Sequence, residues 1–391
     1  MIPILYDKGE YNFTSAGLGR LSDCISCVVT EERNGVYECD FEYPVGGKNY
    51  DLIELGRIIC VSHDISFVSS PVIANAAISD EQYEDITDEN GIALTASATF
   101  YPEEYDAQPF DIVSMSRPID GVVSFHCVHI SYRQSYLTVT GSSIDSLDDA
   151  FTLLENSAVP TNPFSYQTDK ASTGYLAAAD GVPRSVRSML GGMEGSILDA
   201  YGGEYEWDKW NVILHGSRGV HRDFAIRYGV NMLDYNEDLD ISETYMSCVP
   251  YWTDGTNTVV GSRQISTGTT LTGRGECVPL DVSSRFESQP TVAQVQAMGQ
   301  TVMAETNPMI PTQTIHVEFL RLQDVGYDNL AKLFECRLCD TIDVVFPDYG
   351  VTGQFKIVKT VWDALRDKYE SMELGDLSVT LAEALGIKKG K

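Results

Sequence analysis

The same alternating apolar phrase occurs twice, far apart in the chain, and this repetition constrains the fold more than any other feature. "ELGRIICV" (54–61) and "RLCDTIDV" (337–344) agree in the positions of Leu, Ile and Val. "QPFDIVSM" (108–115) and "GQFKIVKT" (353–360) agree through Phe110/Phe355, Ile112/Ile357 and Val113/Val358. Apolar side chains alternate through Ile342, Val344 and Phe346, then Phe355, Ile357 and Val361, with Pro347, Asp348, Gly350 and Gly353 supplying the turn between them. Each copy is followed by a further strand, Asp120 to Val128 and Asp367 to Gly375. Residues 68–106, with the acidic run "SDEQYEDITDENG", read as an excursion inserted into the first copy. Any strand–turn–strand resembles another, so the phrase alone fits either coincidence or one unit built twice.

The rest of the chain is read around these copies. "CISCVVTEERNGVYECDFEYPV" predicts a hairpin turning at Asn34-Gly35. From Thr140 the period changes: Ile144, Leu147, Phe151 and Leu154 share a helical face, and Ser146 with Asp149 forms a capping pair. "SVRSMLGGMEGSILDAYGG" predicts one helix closed by Gly202-Gly203, followed by a hairpin around Asp208-Lys209. Another helix follows Pro290, with Val292, Val295, Met298 and Val302 on one side. Strands resume at His316, and a short helical link holding Tyr327 and Leu330 leads into the second copy.

A length of 391 residues predicts about two to four domains. The 57 acidic residues against 27 basic ones give a net charge of −30. That excludes sequence-specific nucleic-acid binding, which needs cations against phosphates. Two readings of the acidity stay open: solubility, or a surface that repels a polyanion sliding past it. No run of about 18 apolar residues is present, so no helical membrane span is predicted. "MIPILYDKGEYNF" lacks the basic and apolar regions of a secretory signal, so the chain is expected to stay in the cytoplasm or leave by another route.

Candidate chemistry is sparse. Nine cysteines, an odd number, point to reduced thiols. Cys24/Cys27 and Cys336/Cys339 have the spacing of a four-cysteine zinc site but lack a Gly-rich knuckle, and small buried apolar roles are expected instead. His126 and His129 fall on opposite faces of a strand and do not suit a shared metal. "HGSRG" (215–219) echoes a nucleophile elbow around Ser217 without its strand–turn–helix setting. Glu31 with Glu32 and Asp238 with Asp240 are pairs that so acidic a chain produces by chance. No catalytic, cofactor-binding or metal-ligating residue is assigned.

Five stretches in order carry a family resemblance. They are "MIPILYDKGEYNFTSAGLGRLSDCISCVVTEERNGVYECDFEYPV", "YDLIELGRIICV", "QPFDIVSMSRPIDGVVSFHCVHISY", "FAIRYGVNMLDYNEDLDISETY" and "RLCDTIDVVFPDYGVTGQFKIVKTVWDALRDKYESMELG". Together they span residues 1 to about 376 and resemble the N-terminal region of phage minor structural proteins, the prophage endopeptidase tail or tail-associated lysin family. The resemblance implies a β-rich α+β, multidomain fold like the central hub of contractile tail baseplates. Such a fold has two related β-barrel domains and two smaller α+β domains. The expected boundaries are 1–139 for the first barrel, with the insertion at about 68–106, 140–215 for an α+β domain, 216–250 plus 316–380 for the second barrel, and 251–315 for the small α+β domain.

The function implied is a structural one, at the virion tail tip. A homotrimer would form a pseudo-sixfold ring joining the tail tube to the tip, and the genome would pass through it. Expected partners are further copies of the chain, a distal tail or tail tube protein, a tape measure protein, a tip or spike protein, and DNA in non-specific transit. No cofactor is implied. Family members often carry a peptidase or muramidase domain after the hub. This sequence ends at "LSVTLAEALGIKKGK", so lytic activity is not expected. Two alternatives stand beside this reading. One is a peptidoglycan hydrolase using acids or Ser217 with His221. The other is a host-glycan-binding module using the aromatics of "YEWDKWN" and "VPYWTDG".

Overall fold

The computed structural model describes residues 2–375 apart from 63–71, 78–94, 101–106, 118, 120, 142–143, 171, 229–231, 243, 266–274, 307, 310–311, 320–335 and 348–350. The link around Tyr327 and Leu330 and the end of the chain lie outside the described residues.

Period-2 segments pair edge to edge into one curled sheet of thirteen strands. Its order runs Met232–Asp240, Thr312–Phe319, Lys368–Gly375, Val351–Asp363, Ser26–Glu32, Tyr37–Pro44, Val122–His129, Ala107–Ser116, Ile58–Ser62, Ile4–Tyr6, Gly19–Arg20. Off this path, Thr341–Phe346 pairs with Val351–Asp363 and, in parallel, with His221–Arg227. The burial pattern of Tyr37–Pro44 alternates strictly: Tyr37, Cys39, Phe41 and Tyr43 are buried and the residues between them are not. One face therefore packs a core while the other stays polar, as expected of an antiparallel sheet wetted on one side.

The repeated phrase is a repeated structure. Ile59 pairs with Phe110 in the first copy, and Ile342 pairs with Phe355 in the second. All four side chains are buried. The Gly56 N–H donates to the Ile112 carbonyl and the Ile112 N–H to Arg57, at 2.8 and 2.9 Å. The counterparts, Cys339 to Ile357 and Ile357 to Asp340, have the same lengths. Gly56 and Cys339 both take a positive φ, 81° and 68°. The ladder to the next strand slips between Ile112 and Ser114 in one copy, and between Ile357 and Lys359 in the other. Such a slip is a bulge, a local feature fixed by the chain around it.

The equivalence extends two strands further. Cys127 pairs with Cys39, and Leu374 with Ile315. Cys39 in turn pairs with Val29, and Ile315 with Glu237. Each unit is thus five strands in the same order and register. One comprises Ser26–Glu32, Tyr37–Pro44, Val122–His129, Ala107–Ser116 and Ile58–Ser62. The other comprises Met232–Asp240, Thr312–Phe319, Lys368–Gly375, Val351–Asp363 and Thr341–Phe346.

The insertions fall at different joints. The first unit is interrupted between Ile58–Ser62 and Ala107–Ser116, where Val72–Ala77 and Thr95–Phe100 pair as a hairpin. The second is interrupted between Met232–Asp240 and Thr312–Phe319. There a small sheet built on Ser247–Thr253 packs helix Val292–Thr306 through Trp252, Val282 and Val295. Between the units, helix α1 (Leu147–Asn156) is capped by Ser146, which accepts from the Asp149 N–H at 3.1 Å. It buries Leu147, Phe151 and Leu154 against the first unit's core.

The single helix expected from Ser185 to its close at Gly202-Gly203 is two, Val186–Leu190 (α2) and Ile197–Tyr201 (α3). Gly192 and Gly195 between them take φ of 85° and 74°, where a helix does not continue. Of the apolar set expected on Val292–Thr306 (α4), Val295 is fully buried, but Val292 is half exposed.

Candidate functional site: the seam between the two units

Val351–Asp363 is thirteen residues long and serves both units. Along one edge its first half pairs with Thr341–Phe346. Its second half, Lys359 to Asp363, pairs with Glu32 to Val28 of the first unit. The Arg33 N–H extends this ladder to the carbonyl of Val358, the bulge residue, at 2.8 Å. The packing crosses the seam too. Trp362 belongs by sequence to the second unit, yet it is fully buried in the first unit's core, edge-on to Tyr369 at 4.6 Å. Burying so large an aromatic side chain ties the two units by a few kcal/mol.

Charges close the seam from the side. Glu31 is 4% exposed at an inward-facing position and meets Arg218 at 3.0 Å. Burial alone would lower the Arg218 guanidinium pKa, but Glu31 and Glu206 beside it hold it raised. Lys356 donates to both carboxylate oxygens of Glu204, at 2.7 and 2.6 Å, and Arg33 adds a third contact at 3.3 Å. Lys359 bridges Glu32 of one unit and Glu373 of the other at 3.0 and 3.1 Å, and its pKa is raised by hydrogen bonding to Glu32. The largely buried pairs, Glu31–Arg218 and Glu204–Lys356, add little net stability over apolar packing, but they fix register, because a displaced partner leaves a charge uncompensated.

The residues considered from sequence fall as follows. Ser217 accepts from Lys356 Nζ at 3.2 Å, while the same nitrogen donates to Glu204. A serine nucleophile needs a base that takes its proton, and Lys356 is a donor here. His221 is exposed at the start of its strand, and no hydrogen bond joins it to Ser217 among the described residues. Cys27 lies in the first core, with its sulfur 3.7 Å from that of Cys39, whereas Cys336 and Cys339 lie in the second. The two CxxC pairs are therefore held apart. Among the described residues no His/Cys/Asp/Glu group is arranged to hold a metal. Burial pushes the Cys339 thiol up to about 12.

His126 sits on the polar face against Asp40 at 2.8 Å, and His129 is buried with its Nε2 at 3.3 Å from Gln108. Of the proposed glycan-binding aromatics, Tyr205, Trp207 and Trp252 are core residues, and Trp210 stacks on Tyr11 at 4.7 Å. Asp238 and Asp240 lie exposed on the outermost strand of the second unit, and Glu31 and Glu32 belong to the seam. Arg33, Glu204, Arg218 and Lys356 escape sequence reasoning because they are single charges scattered over three hundred positions, with no spacing to link them.

This fold is similar to those of solved phage tail proteins. The prophage tail protein gp18 of Listeria monocytogenes EGD-e superposes with a TM-score of 0.57 at 13% identity, covering 99% of this chain and 98% of that one. The tail protein of Neisseria meningitidis MC58 gives 0.55 at 10% identity, with 98% of both chains covered. The 43 kDa tail protein of prophage MuSo2 from Shewanella oneidensis gives 0.53 at 8%, covering 96% and 98%. No protein-family model matches the chain, and no curated protein matches it by sequence. At such low identity the likeness lies in the fold.

Proposed function

We propose that the chain is a structural component of a phage tail, the hub at the tail tip, working as a trimeric ring of six similar units. The carrying observation is the internal seam: two five-stranded units of equal register already stand side by side, joined strand to strand. A chain with two such units converts threefold symmetry into six similar contacts. In this reading each unit is one barrel-like domain of the hub. The domains follow those expected from sequence, 1–139, 140–215, 216–250 with 316–380, and 251–315, with strand Ser247–Thr253 taken wholly into the small domain and Thr312–Phe319 wholly into the second unit. The tube protein, tape measure protein and tip or spike protein would meet the ring above and below.

The acidic balance fits this role. Glu38, Asp40, Glu42, Asp234, Asp238 and Glu373 lie on the polar face of the sheet, opposite the cores. Turned toward a lumen, such a face lets DNA slide rather than stick, over a range of about 10 Å. The seam chemistry favours support over catalysis, since its titratable groups are consumed in pairs. Antibody labelling of induced phage particles tests the assignment. Label confined to the tail tip is expected, and label absent from particles would contradict it. Cell-wall zymography tests the hydrolase alternative. No clearing is expected, whereas clearing lost on Ser217→Ala would establish it.

A further inference from the structure

The two edges that meet at the internal seam each have a counterpart in the other unit. Superposing the units by register puts Lys359, Thr360, Val361 and Trp362 of the second onto Ser114, Met115, Ser116 and Arg117 of the first. The same operation puts Glu32, Glu31, Thr30 and Val29 of the first onto Asp240, Leu239, Asp238 and Glu237 of the second. We propose that a second copy of this chain docks here. Residues Val113 to Arg117 of one copy would pair antiparallel with Glu237 to Ile241 of the next, reproducing the internal ladder. The inference rests on the ring reading above and supplies its contact.

The exposures argue for this occupant. Inside the chain, the inward-facing seam positions are covered: Glu31 is 4% exposed and Thr360 2%. Their counterparts are Leu239, 51% exposed, and Met115, part-buried. The bulge residue Val358 accepts from Arg33, and its counterpart Val113 is 47% exposed; the counterpart of Arg33 is Ile241, 48% exposed. Leu239, Val113 and Ile241 thus stand more exposed than Glu31, Val358 and Arg33, their counterparts in the internal seam. The register brings Met115 against Leu239, Val113 against Ile241 and Arg117 opposite Glu237. A cross-strand apolar pair and an opposite-charge pair are the usual stabilisers of such a ladder. The two edges lie on different units and are complementary rather than identical, so the contact is head-to-tail, the kind that makes a ring where the rotation between copies closes.

Cross-linking of the full chain tests this. In a Cys277→Ser background, which removes the exposed cysteine, Ser116→Cys and Asp238→Cys are combined and treated with a short bis-maleimide. Covalent oligomers are expected from this pair, and none from a control pair, Arg20→Cys with Asp238→Cys. Arg117→Glu is expected to shift the assembly equilibrium tenfold or more toward single copies, and adding Glu237→Arg to reverse the shift. A trimeric mass without the Ser116–Asp238 link overturns the seam and leaves the ring. Single copies at every concentration, without any link, overturn both.

Discussion

Glu31 carries a charge at a position where its strand's alternation asks for an apolar side chain, and Arg218, 187 positions later, answers it. Removing Arg218 leaves a carboxylate buried in the seam. Arg218→Ala is therefore expected to cost about 3–5 kcal/mol in urea unfolding, and Arg218→Met with Glu31→Leu to recover most of it. A loss below 1 kcal/mol would show the pair to be solvated. Arg184 sets a second local electrostatic feature by donating to both oxygens of Asp180 and to the Ala178 carbonyl. Its hydrogen bonding holds the Asp180 carboxyl down at about 2, below the ordinary 3.8. A depressed carboxyl stabilises the fold above the unfolded-state value, and that stability is lost as pH falls through about 2. Asp180→Asn should remove this part of the acid limb of a pH titration of stability. An unchanged limb would refute the pairing. Sequence shows Glu31 only beside Glu32, as one of the chance pairs that 57 acids produce. Its role depends on a partner that nothing local identifies.

At the scale of elements, the strands are legible where alternation is strict. The Asn34-Gly35 hairpin and the Asp208-Lys209 hairpin form as read, with Asn34 and Lys209 at positive φ. Helix α1 is legible from its cap and stripe, which agree. The divided α2–α3 segment misleads because its apolar spacing persists through glycines that end one helix and begin the next. Gly219 carries a demand that sequence does not declare: a Cβ there would lie 2.2 Å from the Cys339 carbonyl oxygen, at φ of 83°. Gly219→Ala should destabilise by about 2 kcal/mol or more, because both the backbone conformation and the space forbid it. Gly56→Ala shares the positive φ but would meet only ordinary van der Waals contact, with Lys8 at 3.6 Å, and should cost only about 1 kcal/mol. Equal losses at the two sites would contradict this distinction. Trp362→Ala should cost about 3–5 kcal/mol and reduce hydrogen-exchange protection in Ser26–Glu32, across the seam from its own unit. Loss confined to the second unit would mean that the seam does not couple the two.

At the scale of the whole molecule, duplication was visible in a few Leu, Ile, Val and Phe positions because the buried face of a strand tolerates little change. The edge pairing of the units was not visible, since backbone ladders leave no residue signature. Nor was the location of the second unit's insertion evident from the phrase, which begins only after it. The central claim is that two seams, one within the chain and one between copies, close six units into a ring. Light scattering of the purified chain, with negative-stain class averages of its main peak, tests it most directly. The account predicts the mass of three chains and rings with an open centre and sixfold modulation. A dimeric mass related by a twofold axis, with no ring, would contradict it.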